Sequence, residues 1–160
     1  MSELSEQVVQ AAGDAAFDNG PDPDHPGWHR WELKDDSRFN GQVMGRMLVR
    51  VEGSLVRTRM FPEHRHTNLL DIVHGAVTLG LMDISIFSCG HMLGLEGMAG
   101  SVTLDLSAQF IGGAAVDQPL DSVVEILRET NRLVFLRGIV EQGDNKVGAF
   151  SATIRKGRRR

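Results

Sequence analysis

A single charged side chain interrupts a long apolar segment in the middle of the sequence. Asp83 is the one acidic or basic residue between His74 and His91, and an unpaired carboxylate in apolar surroundings is costly. Carboxylates kept in such surroundings often act as general bases or nucleophiles. Asp83 is therefore a candidate catalytic residue. The alternative is a carboxylate that binds a neighbouring helix or subunit and only fixes packing.

His74 and Gly75 stand at the predicted start of the same helix. The first backbone N–H groups of a helix have no acceptor within it, and the helix dipole adds partial positive charge there. The Gly75 amide could therefore hold an oxygen that gains negative charge during a reaction, because glycine has no side chain to obstruct the approach. A steric role for Gly75 in a tight turn and a structural role for His74 remain the alternatives.

The spacing of His74 and Asp83 separates them on the helix. They are nine residues apart, which places them on opposite sides of a helix and about 13 Å apart along its axis. One subunit cannot easily use them as an acid–base pair, whereas a two-fold dimer could bring Asp83 of one chain towards the helix start of the other. The geometry therefore favours an active site shared across a subunit interface.

The elements that must position these residues follow from hydrophobic periodicity and turn residues. A helix is predicted over residues 4–19, and an irregular acidic connector follows over 20–40. Trp28 and Trp31 of the connector are expected to hold it against a surface of this subunit or a neighbour. The remaining predicted elements are a two-strand hairpin between Met47 and Pro62, a loop over 63–72, a long helix over 74–92, and strands over 101–111, 120–130, 132–142 and 146–156.

One helix is thus available to cover six strands, and its apolar residues span every face. Such a helix must be enclosed rather than laid on a surface. A strongly curved antiparallel sheet wrapped around the helix is the economical arrangement, so the sequence predicts an α+β fold.

The segment HTNLLDIVHGAVTLGLMD, from His66 to Asp83, resembles the signature of hotdog-fold acyl-CoA thioesterases of the phenylacetate-pathway and 4-hydroxybenzoyl-CoA thioesterase type. That signature has Asn, two residues, Gly, two residues, His-Gly-Gly and an Asp on the central helix. The strand SVTLDLSAQF over 101–110 resembles the family's strand after the helix. Two family glycines are replaced by Asp71 and Ala76; if position 71 requires a positive φ, Asp tolerates it better than most residues.

The resemblance, over about residues 40–156, implies a hotdog fold and hydrolysis of an acyl-CoA thioester to a free acid and coenzyme A, without a cofactor or a metal. Asp83 would be the base or nucleophile, Gly75 the donor to the thioester carbonyl, and Asn68 would position the water or the carboxylate. His74 would order the loop and Thr103 would assist the water. The expected substrate-binding residues are Leu79, Met82 and Ile86 for the acyl group and Arg128, Arg132, Arg155 and Lys156 for the coenzyme A phosphates.

The expected organisation is an arm over 1–40, a thioesterase domain over 41–156 and a basic tail over 157–160, in a homo-oligomer that is either a dimer or a dimer of dimers. The net charge of −4 does not favour nucleic-acid binding. The single cysteine, Cys89, excludes an internal disulfide framework and is expected to be a buried, inert thiol. We expect no secretory signal, no membrane span and a cytoplasmic location.

Three other functions remain open at this point. A hotdog domain could bind acyl-CoA without hydrolysing it, although a pure binder has no need of Asp83 with Asn68. A metal site could use His64, His66 and His74 with Asp71 between them, because His-x-His on an extended segment places both rings on one face. A hotdog hydratase would require a different acid–base pair near the helix start.

Overall fold

The computed structural model describes residues 16–157. It has one α-helix in that range, α1 (Gly75–Met92), which agrees with the helix predicted over 74–92. The six predicted strands are β4 (Met47–Glu52), β5 (Leu55–Met60), β6 (Val102–Phe110), β7 (Leu120–Glu129), β8 (Leu133–Gln142) and β9 (Asn145–Arg155). Three strands of two residues precede them: β1 (Phe17–Asp18), β2 (His29–Arg30) and β3 (Glu32–Leu33).

The short strands correct the prediction for the first forty residues. Residues 4–15 of the predicted helix lie outside the described residues, and Phe17 and Asp18 form a strand that pairs with β3 instead of continuing a helix to Asn19. The connector is likewise not wholly irregular, because β2 pairs with β4 at the edge of the main sheet. A π-helical turn at Asn40–Met44 then leads into β4.

The main sheet is antiparallel, with the strand order β2-β4-β5-β7-β8-β9-β6. Its six longer strands are the predicted ones, and β2 adds a seventh. The helix α1 lies against the inner face of this sheet, where alternate residues of β8 are buried, among them Val134, Leu136 and Val140. Gly138 interrupts that row because a Cβ there would lie 2.4 Å from Cζ of Phe150. This single helix on a curved antiparallel sheet is the hotdog fold that the sequence predicts.

A group of buried hydroxyls fixes α1 on the sheet. Ser88 of α1 lies 2.6 Å from the Thr58 hydroxyl on β5, and the Ser122 hydroxyl on β7 donates to Ser85 of α1 at 2.8 Å. All four side chains are fully buried and hydrogen-bonded. Because a buried hydroxyl without a partner is costly, these pairings disfavour a rotated or shifted helix.

The two tryptophans of the connector hold it against this subunit, one of the two possibilities that the sequence left open. Trp31 is buried, and its ring lies 4.7 Å from that of Phe17 and 5.2 Å from that of His91 at the end of α1. Trp28 is buried between Arg50 and Arg59, whose guanidinium carbons each lie 4.5 Å from its ring centre. Cation–π contacts therefore add to the apolar burial of the arm.

Two surfaces of the core remain open. The edge strand β6 has no neighbour beyond β9 within residues 16–157, and Leu104 and Phe110 on it are 55% and 58% exposed. One face of α1 is also uncovered, since Leu79 is 39% exposed; the expectation that the helix is enclosed on every side is therefore met only in part. No helix in the described part of the chain is long and apolar enough to span a membrane.

Candidate active site

The first turn of α1 leaves one backbone donor free. His74 is the N-cap, and its Nδ1 accepts the Ala76 amide at 2.9 Å. The His74 carbonyl accepts the amides of Val77 and Thr78 at 2.9 and 3.2 Å. The amide of Gly75 has no acceptor among residues 16–157. The cap therefore satisfies the neighbouring donors and leaves the Gly75 N–H available to a ligand, at the positive end of the helix dipole.

The loop before α1 is held in place by its histidines. The His74 amide donates to the His66 carbonyl at 2.8 Å. His66 is buried, accepts the Glu63 amide on Nδ1 at 2.8 Å, and donates from Nε2 to the Val43 carbonyl at 2.7 Å. Both ring nitrogens of His66 are thus engaged, and no group of three possible metal ligands lies together in the described residues. The geometry gives no support to a metal site at His64, His66 and His74.

Asn68 and Asp71 form a tight turn before α1. The Asn68 side-chain oxygen accepts the Leu70 amide at 2.8 Å, and the Asp71 amide donates to the Asn68 carbonyl at 3.1 Å. Asp71 has φ 56°, the one positive φ of a non-glycine residue among residues 16–157. Aspartate is one of the few residues that tolerate this region, which explains how it replaces the family glycine. The Asn68 Nδ2 has no acceptor in the described chain and remains a free donor.

The turn and the helix start border one open depression of about 820 Å³. Its lining residues are His64, Arg65, Thr67, Asn68, Leu69, Leu70, Asp71 and His74. Two of the predicted catalytic residues, Asn68 and His74, therefore face the same space. Leu69 and Leu70 are strongly exposed at its rim.

Asp83 lies on the open face of α1 and is half-buried. Its Oδ1 accepts a hydrogen bond from the Thr103 hydroxyl at 2.7 Å, so the structure brings these two predicted residues together. A bulge at Leu104 makes this contact possible: the pairing of β6 with β9 shifts between Thr103 and Asp105. Without the bulge, Thr103 would point away from the face that carries Leu106 against the core.

The Gly75 amide and the Asp83 carboxylate are far apart within one chain. Eight residues of helix separate them, which is about 12 Å along the axis. The single chain thus holds two groups of candidate residues, Asn68 with His74 and Gly75 at the start of α1, and Asp83 with Thr103 in its middle.

Phe110, at the end of β6, was not identified from the sequence. A Cβ on Gly75 would lie 3.5 Å from Cε1 of Phe110, so the ring stands beside Gly75. The two residues are 35 positions apart, and no local pattern indicates that they meet. The only signal was an aromatic residue at the end of a predicted strand.

The predicted substrate-binding residues divide into open and buried ones. Leu79 lies on the open face of α1, whereas Met82 and Ile86 are fully buried in the core. The Lys156 side chain is fully buried and paired with Glu129, so its ammonium is not available to a phosphate.

Arg128, Arg132 and Arg155 are exposed and make no ion pair among residues 16–157. The other described arginines are all paired: Arg30, Arg38, Arg46, Arg50, Arg57, Arg59, Arg65 and Arg137. The three unpaired ones lie at one end of the sheet, where Arg155 pairs with Leu133 next to Arg132, and Arg128 pairs with Phe135. Arg155 also pairs with Val102, next to Thr103. The three arginines without an ion pair among residues 16–157 thus lie at the end of the sheet that carries Thr103.

Cys89 is buried in α1, and burial raises the pKa of its thiol to about 12. A thiol with so high a pKa is protonated at neutral pH and is a poor nucleophile. This agrees with the prediction of an inert cysteine.

Comparisons with known proteins support the fold and the family. Residues 70–149, half of the 160-residue chain, match the family model of the Thioesterase superfamily. The match covers α1 and the strands β6 to β8. A comparison with curated protein sequences finds no match.

Solved structures show the same fold at low sequence identity. Conserved protein PA5202 from Pseudomonas aeruginosa superposes with a TM-score of 0.65 at 19% identity, covering 78% of this chain and 99% of that one. Thioesterase superfamily member 2 from Mus musculus gives 0.62 at 17% identity, covering 98% and 100%. The E. coli PaaI protein from the phenylacetic acid degradation operon gives 0.64 at 11%, covering 76% and 86%. Together with the family match, these findings confirm the predicted family: the chain belongs to the thioesterase superfamily.

Proposed function

We propose that this protein hydrolyses acyl-CoA thioesters to the free acid and coenzyme A. The observation that carries the proposal is the Asp83 carboxylate on the open face of α1, oriented by the Thr103 hydroxyl at 2.7 Å, in a chain of the thioesterase superfamily. The free amide of Gly75 supports it, because thioester hydrolysis needs a donor for the oxygen that becomes negative.

The two groups of residues require a second chain to act on one thioester. The attacking oxygen and the carbonyl carbon approach within about 3 Å, which the roughly 12 Å between Gly75 and Asp83 on one helix does not allow. We therefore propose a homodimer with two active sites, each using Gly75 of one protomer and Asp83 of its partner. We also propose that two such dimers can pair into a tetramer.

The unpaired edge of β6 offers a way to build this dimer. Antiparallel pairing of β6 with its copy along its full length places the two-fold axis near its central residue, Leu106. The Thr103 end of one protomer then lies opposite the Phe110 end of its partner. Because Thr103 contacts Asp83 and Phe110 stands beside Gly75, this pairing brings the two groups together. It also covers a long exposed strand edge with apolar residues, which would otherwise favour aggregation.

In the proposed reaction, Asp83 takes a proton from water while the water oxygen attacks the thioester carbon. The Gly75 amide binds the resulting oxyanion, the C–S bond breaks, and the coenzyme A thiolate receives the proton. Thr103 keeps one carboxylate oxygen occupied, so the other is free for the water. The Asn68 Nδ2 is free to position the water or the carboxylate, and His74 holds the helix start in shape. In the alternative route, Asp83 attacks the thioester directly and forms an anhydride. Single-turnover reactions in ¹⁸O-water distinguish the two routes, because only the anhydride route can transfer an oxygen atom of the Asp83 carboxylate to the acid product.

The unpaired arginines are proposed to bind the coenzyme A phosphates. Arg128, Arg132 and Arg155 lie at the Thr103 end of the sheet, which the dimer brings towards the partner's Gly75. Arg155→Gln is expected to raise the KM for acyl-CoA and to leave the KM for the matching acyl-pantetheine, which has no phosphate, unchanged. Arg137→Gln is the control, since Arg137 is paired with Glu125. Equal effects of both variants on acyl-CoA would remove this assignment.

A thiol-release assay tests the proposed function. The substrates are acetyl-, octanoyl-, palmitoyl-, phenylacetyl- and benzoyl-CoA, and the variants are Asp83→Asn and the control Asp144→Asn, an exposed residue of the β8–β9 turn. Asparagine can still accept the Thr103 hydrogen bond, so the fold is retained while the base is lost. We expect kcat to fall by at least about 100-fold in Asp83→Asn and to be unchanged in Asp144→Asn. Release of thiol at the normal rate by Asp83→Asn excludes the mechanism; no release by the unaltered protein indicates an acyl-CoA-binding module instead.

A further inference from the structure

An exposed aromatic ring stands at the one free donor of the helix start. Phe110 is 58% exposed although it ends a strand of the main sheet. Its ring atoms Cε1 and Cζ lie 3.5 and 3.7 Å from the position of a Cβ on Gly75. The ring therefore borders the space directly outside the Gly75 backbone.

The position of the ring determines which part of a substrate it meets. A carbonyl oxygen bound by the Gly75 amide lies about 2.9 Å from the amide nitrogen, so the carbon next to that carbonyl is held within a few ångströms of Gly75. The Phe110 ring closes one side of this space. Leu79, four residues after Gly75, lies one turn further along α1 and is partly exposed. For an acyl chain that runs along α1 past Leu79, a branch on the second carbon would lie on the side of Gly75 that the ring occupies.

We propose that Phe110 is a specificity-determining residue that excludes acyl groups branched at the second carbon. The substrates would be acyl-CoAs with a CH₂ group next to the thioester carbonyl. This inference rests on the proposed function for its site, and it adds the substrate class. One methylene group too many or too few in a pocket changes kcat/KM by about 10- to 200-fold, which sets the size of the expected preference.

Butyryl-CoA and isobutyryl-CoA form a matched pair of substrates, because they have the same atoms and differ only in the branch. We expect the unaltered protein to prefer butyryl-CoA by about tenfold or more in kcat/KM. Phe110→Ala opens the space and should reduce this preference about tenfold, and Phe110→Leu should give an intermediate value. Ile111→Ala is the control, since Ile111 is the next residue and is equally exposed. The ratio of two substrates on one sample does not depend on the fraction of correctly assembled protein.

A binding measurement separates this inference from the proposed hydrolysis. The Kd values of butyryl-CoA and isobutyryl-CoA are measured by calorimetry on the Asp83→Asn variant, with and without Phe110→Ala. Binding preference that is lost in Phe110→Ala supports the role of Phe110, whether or not the protein turns over thioesters. Hydrolysis with the same preference in Phe110→Ala as in Ile111→Ala overturns the inference and leaves the proposed function standing. If neither thioester binds and no hydrolysis is seen, both the role of Phe110 and the proposed function are overturned.

Discussion

Replacing Gly75 with proline is expected to remove the Gly75 N–H as a donor while preserving the fold. Gly75 is the first residue of α1, where proline is well tolerated, because the N–H at this position has no partner in the helix. The preceding residue, His74, has φ −64° and ψ 139°, the extended conformation that a residue before proline requires. A Cβ at position 75 makes only ordinary van der Waals contact with Phe110, at 3.5 Å. Proline there should therefore preserve the fold, and its rigidity can add about 0.4–1 kcal/mol of stability.

The size of the expected loss of activity follows from the effect of removing an oxyanion donor in other enzymes. Removal of one oxyanion donor costs about 2.7–4 kcal/mol of transition-state stabilisation, or about 100- to 1,000-fold in kcat. We expect at least this loss for Gly75→Pro in the thiol-release assay, because the proline ring also occupies the space in front of the lost N–H. Gly75→Ala keeps the N–H and is the matched control, for which the loss should be much smaller.

Thermal unfolding of both variants completes the test. If Gly75→Pro unfolds at the same temperature as the unaltered protein and hydrolyses thioesters at the same rate, the Gly75 amide is not the oxyanion donor. If Gly75→Pro lowers the free energy of unfolding by several kcal/mol while Gly75→Ala does not, position 75 is not the free first turn that the geometry indicates.

Three further predictions concern the loop, the arm and the core. Asp71 has φ 56°, so Asp71→Val should lower the free energy of unfolding in urea by about 1–2 kcal/mol while Asp71→Gly should not lower it; equal loss in both variants would mean that the backbone conformation is not the cause. Burial raises the pKa of Asp22, but hydrogen bonds from His25 and Arg46 outweigh it and bring the pKa from 3.8 down to about 2. The resulting stabilisation is complete above about pH 4 and is lost as the pH falls towards 2. Tryptophan fluorescence should therefore report release of the arm between pH 4 and pH 2. In Arg46→Met, which lacks one of these hydrogen bonds, the arm should be released at a higher pH. Because burial raises the pKa of Cys89 to about 12, a thiol reagent at pH 8 should label this residue only after denaturation, and rapid labelling of the native protein would contradict its buried position.

The sequence predicts the main elements closely because their patterns are local. Alternation of apolar residues marks the six longer strands, and the apolar segment after His74 marks α1, which begins at Gly75. The two-residue strands of the arm carry no such pattern. They exist because β1 pairs with β3 and β2 pairs with β4, and pairing between distant segments depends on the packed structure.

The hydrogen bonds that shape the loop before α1 also join residues that are close in sequence. Asn68 forms a turn with Leu70, and His74 caps Ala76 two residues later. Such contacts within a few residues follow from residue type and spacing. The structure places Asn68 and His74 in one loop that leads into Gly75 at the start of α1, and Asp71 in that loop has a positive φ.

Charge in the sequence does not reveal which cations are free. Lys156 and Arg155 are neighbours and look alike in a basic tail. In the folded chain the Lys156 side chain is buried against Glu129, whereas Arg155 is exposed and makes no ion pair within residues 16–157. Pairing with an acidic residue 27 positions away decides this difference, and only the strand order brings Glu129 there.

The sequence by itself predicted α1, the six longer strands and the packing of one helix on a curved antiparallel sheet, because periodicity and turn residues act over short stretches of chain. The hotdog fold and the candidate thioesterase residues came from the resemblance of the segment over 66–83 to that family. The tertiary structure alone decided that a bulge at Leu104 turns Thr103 towards Asp83 and that Phe110 stands beside Gly75. Both contacts depend on the register of β6 against β9, and register is set by the packing of whole strands rather than by the residues that meet.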